Sequence, residues 1–218
     1  MDDLWTRLGA WAAKNAGRDL RLRKGASKRA ITAAEKKLSL RFPDDFRASL
    51  LLHDGQDPGD DDSIFEWMPG CSPLAPLEAI VERWKEEVEL AETYVEDEIR
   101  IVEQGRLHAV LSHPKRIPIA GNQWWDGDNT FLDLYPAPQG ASGQVITFVT
   151  ECDIVVLGPS FRDALTLYVE ALEKGDWVFS AKKGCVVPKK DKPDEYPNRA
   201  DQFAAYTWKK IAKRAARA

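Results

Sequence analysis

The side chains that could carry chemistry in this chain are three histidines, three cysteines and two knots of aspartate. His53, His108 and His113 could hold a metal or supply a base only if the fold gathers them; singly, a histidine at a helix end, or before a proline as in His113-Pro114, is a capping or turn residue. Asp57, Asp60, Asp61 and Asp62 form one acidic knot, and Asp126 and Asp128 the other. Both invite calcium, yet neither places the glycine and terminal glutamate that an EF-hand loop needs, so they read as solvated charge. Cys71, Cys152 and Cys185 are odd in number and far apart, without paired metal spacing, and are expected to be reduced thiols filling space. No G-x-S-x-G elbow, H-E-x-x-H pair, phosphate-binding loop or dinucleotide fingerprint occurs. The G-x-x-G at Gly140 and Gly143 lies between two strands, where no helix start can hold phosphate. No catalytic residue, metal or cofactor is therefore expected.

What remains is suited to binding. The loop 121–129 sets Trp124 and Trp125 beside Asp126 and Asp128, which puts bulky apolar surface where a tight turn needs none. Adjacent residues on extended backbone point to opposite sides, so one tryptophan is expected buried and the other substantially exposed. A long helix over 77–95 has an apolar stripe of Leu77, Ile80, Val81, Trp84, Val88, Ala91 and Val95, and carries Glu82, Glu86, Glu87, Glu89 and Glu92 on its other faces. The expected partner-binding set is Trp124, Trp125, Asp126, Asp128, Glu86, Glu89 and Glu92: an aromatic anchor with acids that steer a basic partner toward it.

The net charge of −4 conceals a division along the chain. Residues 54–103 hold sixteen acids against Arg83, Lys85 and Arg100, a net of −13, whereas residues 182–218 hold eleven bases against four acids, a net of +7. Such a division bears on partner choice and association rate more than on fold. The basic end could bind nucleic acid or an anionic membrane; the plainer reading is that cations late in a helix suit its dipole and lie against the protein's own acidic helix. No apolar run approaches the length needed to span a bilayer, and the first residues are acidic and amphipathic rather than signal-like, so a cytoplasmic protein is expected.

These side chains need elements to position them. Short β-branched runs at 117–120, 130–135, 144–149 and 154–157, each bounded by Gly, Pro, Asn or Asp, predict a meander of strands. Leu132 and Leu134 alternate with Phe131, Asp133 and Tyr135, which predicts a sheet with one packed face and one partly wet face. Helical spacing over 3–16, stopped at Gly17, predicts a helix docking on the sheet through Trp11. Thr32 with Glu35 reads as a capping box, and Pro43 introduces a helix over 44–53 with Phe46, Leu50 and Leu51 inward. Short strands are expected at 64–68 and 107–111. Ser160 and Asp163 cap a helix with Phe161, Ala164, Leu165, Tyr168 and Leu172 inward. A short strand at 177–179 precedes a stretch of linker composition and a basic amphipathic helix anchored by Phe203, Trp208 and Ile211.

The pattern IPIA, an acidic glycine-containing loop, FLDL, a proline and glycine turn, GQVI and then VVLGPSF opening a helix resembles the SUKH superfamily, as does ITAAEKKLSLRFPDDFRASLLLHDGQ upstream. That superfamily includes bacterial immunity proteins and fungal cell-wall-synthesis regulators. The resemblance covers residues 31–179 and implies an α+β domain with a mainly antiparallel sheet and flanking helices. Residues 1–30 would form an N-terminal helix and basic connector, and residues 180–218 a linker and basic helical extension; because the PKKDKPDEYP stretch has linker composition and the core signals end before it, removal of residues 188–218 is expected to leave the domain folded. The function it implies first is a non-enzymatic immunity protein that neutralises a cognate toxin, such as a basic nuclease, by binding it. The alternative is a regulatory or scaffold protein of cell-wall synthesis or signalling. A small metal-dependent hydrolase using Asp126, Asp128 and a histidine ranks third.

Overall fold

The computed structural model describes residues 1–59, 64–93, 100–101, 105–110, 112–122, 125, 129–149, 153–190 and 198–216, with the side chains of residues 92, 93, 100 and 101 left aside. Strands β2 (Arg116–Ala120), β3 (Thr130–Asp133), β4 (Gln144–Phe148) and β5 (Asp153–Gly158) form the expected antiparallel meander, and β1 (Arg100–Ile101) adds to β5 in parallel, giving the order β1-β5-β4-β3-β2. The register sets Ile117 opposite Leu132 and Leu132 opposite Val145 on one face, and Phe131 opposite Ile146 and Ile146 opposite Val156 on the other.

Neither face is wet. On one side Ile117, Ile119, Leu132, Val145, Val155 and Leu157 join the main core; on the other Leu107, Phe131, Ile146, Ile154 and Val156 form a second cluster flanked by Phe148 and Trp208. Asp133, expected on a solvated face, is wholly buried with Arg116 at 3.7 Å. Alternation within one strand reports two chemically different faces, but not whether a distant segment supplies a second cover.

Helix α5 (Phe161–Glu173) lies on the main-core face, with Ser160 Oγ accepting the Asp163 N–H at 3.1 Å as its sequence predicts. Helix α1 (Asp2–Ala16) ends at a left-handed Gly17, but it docks on α5 rather than on the sheet, through Trp5 and Leu8. Trp5 Nε1 donates to Ser49 Oγ at 3.0 Å, while Trp11 is half-buried against Phe65. Helix α2 (Lys28–Leu38) starts earlier than the Thr32–Glu35 pair implies, because Ser27 Oγ accepts the Ala30 N–H at 3.1 Å. Glu35 instead accepts the Phe42 N–H and pairs with Arg47. Helix α3 (Asp44–Leu52) buries Phe46 and Leu50 but leaves Leu51 exposed.

Residues 64–68 form no strand; one bridge joins Ile64 to Asp19, while Phe65, Trp67 and Met68 turn into the core. The strand expected at 107–111 reduces, among the described residues, to one bridge between Leu107 and Pro136.

At the C-terminal side, β6 (Trp177–Ser180) pairs with β7 (Cys185–Pro188), a hairpin that linker composition conceals. Helix α6 (Arg199–Ala215) then runs along β5. Phe203 is buried against Tyr168 and Trp177, and Trp208 Nε1 donates to the Val156 carbonyl at 2.8 Å, covering a strand edge that two-residue β1 leaves open. Glu66 binds Arg199 and accepts the Val186 N–H, tying the 64–70 turn to β7 and α6. Among the described residues, no helix is long and apolar enough to cross a membrane.

Candidate binding surface

Helix α4 (Leu77–Thr93) is the acidic helix of the sequence. Asp54 Oδ1 accepts the Leu77 N–H at 2.8 Å, a carboxylate at the positive end of the helix dipole, and the apolar side of α4 packs on α2 and β2. Trp84 reaches across to donate its indole N–H to the Pro114 carbonyl at 2.8 Å.

The acids of α4 do two different things. Glu87 is 6% exposed: Arg83 Nε and Nη2 donate to its Oε1 at 2.9 and 2.6 Å, and Ser112 Oγ donates to its Oε2 at 2.6 Å. It fastens α4 to the segment before β2 and is not part of a solvated face. Glu86 is open, its side chain 62% exposed, and takes the remaining Arg83 donor, Nη1, at 2.9 Å. Glu89 is exposed on the next turn. Glu92 lies on α4, with its side chain outside the described residues.

Arg83 also reaches the tryptophan loop, its guanidinium carbon 5.8 Å from the Trp125 ring centroid. Trp125 has a left-handed φ of 53°, donates its N–H to the Asn122 carbonyl at 3.2 Å and accepts from Asn129 Nδ2 at 2.9 Å. Its ring folds back over Gly121, where any Cβ would run into it. Trp125 is thus half-buried against the main core and presents only part of its surface. Trp124, Asp126 and Asp128 lie outside the described residues. Of the expected set, Glu86 and Trp125 are brought together, and the link is Arg83, which sequence reading left as a minor counter-charge. Its spacing three and four residues before Glu86 and Glu87 was the available signal.

The histidines do not assemble. His53 sits edge-on to Trp5 at 6.2 Å, whereas His108 and His113 stack on Tyr135 at 4.3 and 3.9 Å. Burial, and then the charges of Arg116 and Lys115, hold the His113 imidazole below its usual range. Among the described residues no three of His, Cys, Asp and Glu meet as a metal site. Burial pushes the Cys71 thiol up to about 12, which keeps it in its unreactive form; Cys185 is also raised, again by burial first, and Cys152 lies outside the described residues.

Nor do the cations of α6 lie against α4, as the plainer reading of the basic end supposed. Arg214 pairs with Glu170 of α5 at 2.7 Å, Lys210 with Asp176 at 2.9 Å and Arg199 with Glu66.

The model of the SMI1 / KNR4 family (SUKH-1) matches residues 25–166. The chain is 29% identical over 192 residues to the cell wall biosynthesis/cell cycle regulator smi1 of Schizosaccharomyces pombe, covering 82% of this chain and 37% of that protein. It is 25% identical over 209 residues to a glucan synthesis regulatory protein of Neurospora crassa, covering 79% and 38% respectively. It is 22% identical over 212 residues to the cell wall assembly regulator SMI1 of Saccharomyces cerevisiae, covering 79% and 40%. The chain therefore spans well under half the length of these relatives.

Proposed function

The chain belongs to the SMI1 / KNR4 family (SUKH-1), and from that premise we propose that it is a non-enzymatic protein-binding module that regulates cell-wall synthesis, acting through contacts with protein partners. The observation that carries this reading is the likeness over about four-fifths of the chain to proteins named as regulators of cell wall or glucan synthesis. The same names support regulation over toxin neutralisation, the first implication of the superfamily resemblance, and describe regulators rather than enzymes.

The partner surface in this reading is the exposed side of α4 together with the 121–129 loop: Glu86, Glu89 and Glu92 with Trp124, Trp125, Asp126 and Asp128. Support for it comes from Arg83, which holds Glu86 and faces the Trp125 ring, so that a fixed acid and a half-open aromatic share one surface. A partner with basic and apolar groups side by side fits that chemistry.

Affinity capture from the native cell tests both parts, with the wild-type chain and a Glu86→Lys/Glu89→Lys variant as baits. Capture of wall-synthesis or signalling proteins by the wild type, lost in the variant, is the expected result. Undiminished capture by the variant moves the surface elsewhere. A specifically captured toxin, with wall glucan unchanged in a strain lacking the gene, sinks the regulatory reading.

A further inference from the structure

On the side of the molecule formed by β5, the β6–β7 hairpin and α6 meet in a cleft of about 520 Å³. Lys189 and Lys190, at the end of β7, and Lys209, Lys210 and Lys213, on α6, all line it. Gln202, Tyr206, Lys209 or Lys210, and Lys213 follow helical spacing, so one face of α6 is turned toward the cleft.

Ion pairing accounts for only part of this charge. Asp176 is the one acid among the cleft's described residues; it takes Lys210 at 2.9 Å and the Tyr206 hydroxyl at 2.8 Å. Those two contacts, Lys210 first, hold its carboxyl below the usual range. The neighbouring cations Arg199 and Arg214 are neutralised by Glu66 and Glu170. Lys189, Lys190, Lys209 and Lys213 are exposed and make no ion pair among the described residues. Four ammonium groups around one concavity repel each other and focus a positive field into it.

The remaining lining indicates what kind of anion fits. Lysines are point charges on flexible stems and can reach several phosphate groups spread around a small skeleton. Pro188, Trp177 and Tyr206 add apolar groups to the lining. Trp177 is only 2% exposed, so it offers no open platform for stacking nucleobases. The cleft's size is that of a site for one small molecule rather than a track for a polymer. We propose that this cleft binds a compact polyphosphorylated ligand of the phosphorylated-cyclitol type, with Lys189, Lys190, Lys209 and Lys213 contacting phosphate and the half-buried Pro188 and Tyr206 lying against the ring.

The test is calorimetric titration of the full chain with inositol hexakisphosphate in about 0.1 M salt, where exposed charges are only partly screened. Saturable binding at one site is expected. A Lys209→Glu/Lys213→Glu variant weakens it about tenfold or more. A Lys189→Ala/Lys190→Ala variant, at an exposed strand end, weakens it several-fold and serves if the helix variant fails to melt cooperatively. Lys14→Glu, on α1, leaves it unchanged. Co-sedimentation with phosphatidylcholine vesicles carrying a polyphosphorylated phosphoinositide assigns the ligand to a lipid headgroup; binding of the soluble anion alone assigns it to a free metabolite. The proposal is overturned by an absence of binding heat, or by an equal loss in Lys14→Glu, which would show attraction to net charge without a site.

Discussion

Arg83 divides its donors between an acid that holds the fold and an acid that faces solvent, so substitutions at neighbouring positions should separate stability from binding. Arg83→Met leaves Glu87 buried without its counter-charge and is expected to destabilise the chain by about 3 kcal/mol in urea unfolding, because an uncompensated buried charge is the costly outcome. Glu86→Gln, one residue away and open to water, should leave the midpoint within about 0.5 kcal/mol of wild type. A midpoint for Arg83→Met close to wild type would show that Glu87 is not a structural acid. His113 gives a pH test. Its folded state favours neutral imidazole, so its contribution is complete above the ordinary 6.5 and is lost as pH falls below that value toward the lowered folded one. Stability should decline as pH falls below about 6.5, and His113→Phe, which keeps a ring beside Tyr135, should flatten the decline. An identical slope in the variant would assign the proton uptake to other groups.

At the scale of elements, α6 is the informative case. Its amphipathic pattern was readable, and Phe203 and Trp208 do anchor it, but its composition gave no sign that it closes a sheet edge. Removing residues 188–218 strips Phe203 from Tyr168 and Trp177, uncovers the Val156 carbonyl and leaves Glu66 without Arg199. The loss should exceed the ~3–5 kcal/mol typical of truncating one buried aromatic, and the shortened chain should lack a cooperative melt. A melt near the full-length midpoint would instead establish the segment as a dispensable extension. Acid should loosen the same element. Glu170 is held below its usual range by Lys174 first and then Arg214, so its contribution stands above the ordinary 4.5 and disappears as pH falls through the lowered value. Hydrogen exchange along α6 at decreasing pH, compared with α5, reads this directly.

Across the whole molecule, the division of charge along the sequence becomes a division in space. The acidic α4 packs on β2, at one edge of the sheet, and the basic α6 packs on β5, next to the other edge. Reversing Glu86, Glu89 and Glu92 to Lys should therefore slow association with the partner of the α4 surface and weaken the salt dependence of the on-rate, with the melt unchanged, since rim charges act mainly on encounter. Stopped-flow mixing at low and high salt measures both, and an unchanged rate at low salt would remove α4 from the interface.

The sequence by itself determined the elements whose signals are local. Ser160 and Asp163 set the start of α5, and the bounded β-branched runs set β2 to β5 almost to the residue, because a cap needs only four residues and a strand only its own alternation. Tertiary structure alone decided what each polar or aromatic side chain meets. Asp133 looked solvated until Arg116 came to lie beside it, Glu87 looked like its neighbours on α4 until Ser112 reached it, and the second face of the sheet looked wet until Trp208, 52 residues beyond Val156, covered it. Alternation set one tryptophan of the adjacent pair inward without saying which, and it is Trp125 that folds back over Gly121 toward Arg83, a contact made across the fold. Periodicity states which way a side chain points; burial depends on what another part of the chain places there, and that choice is made only when the whole core closes.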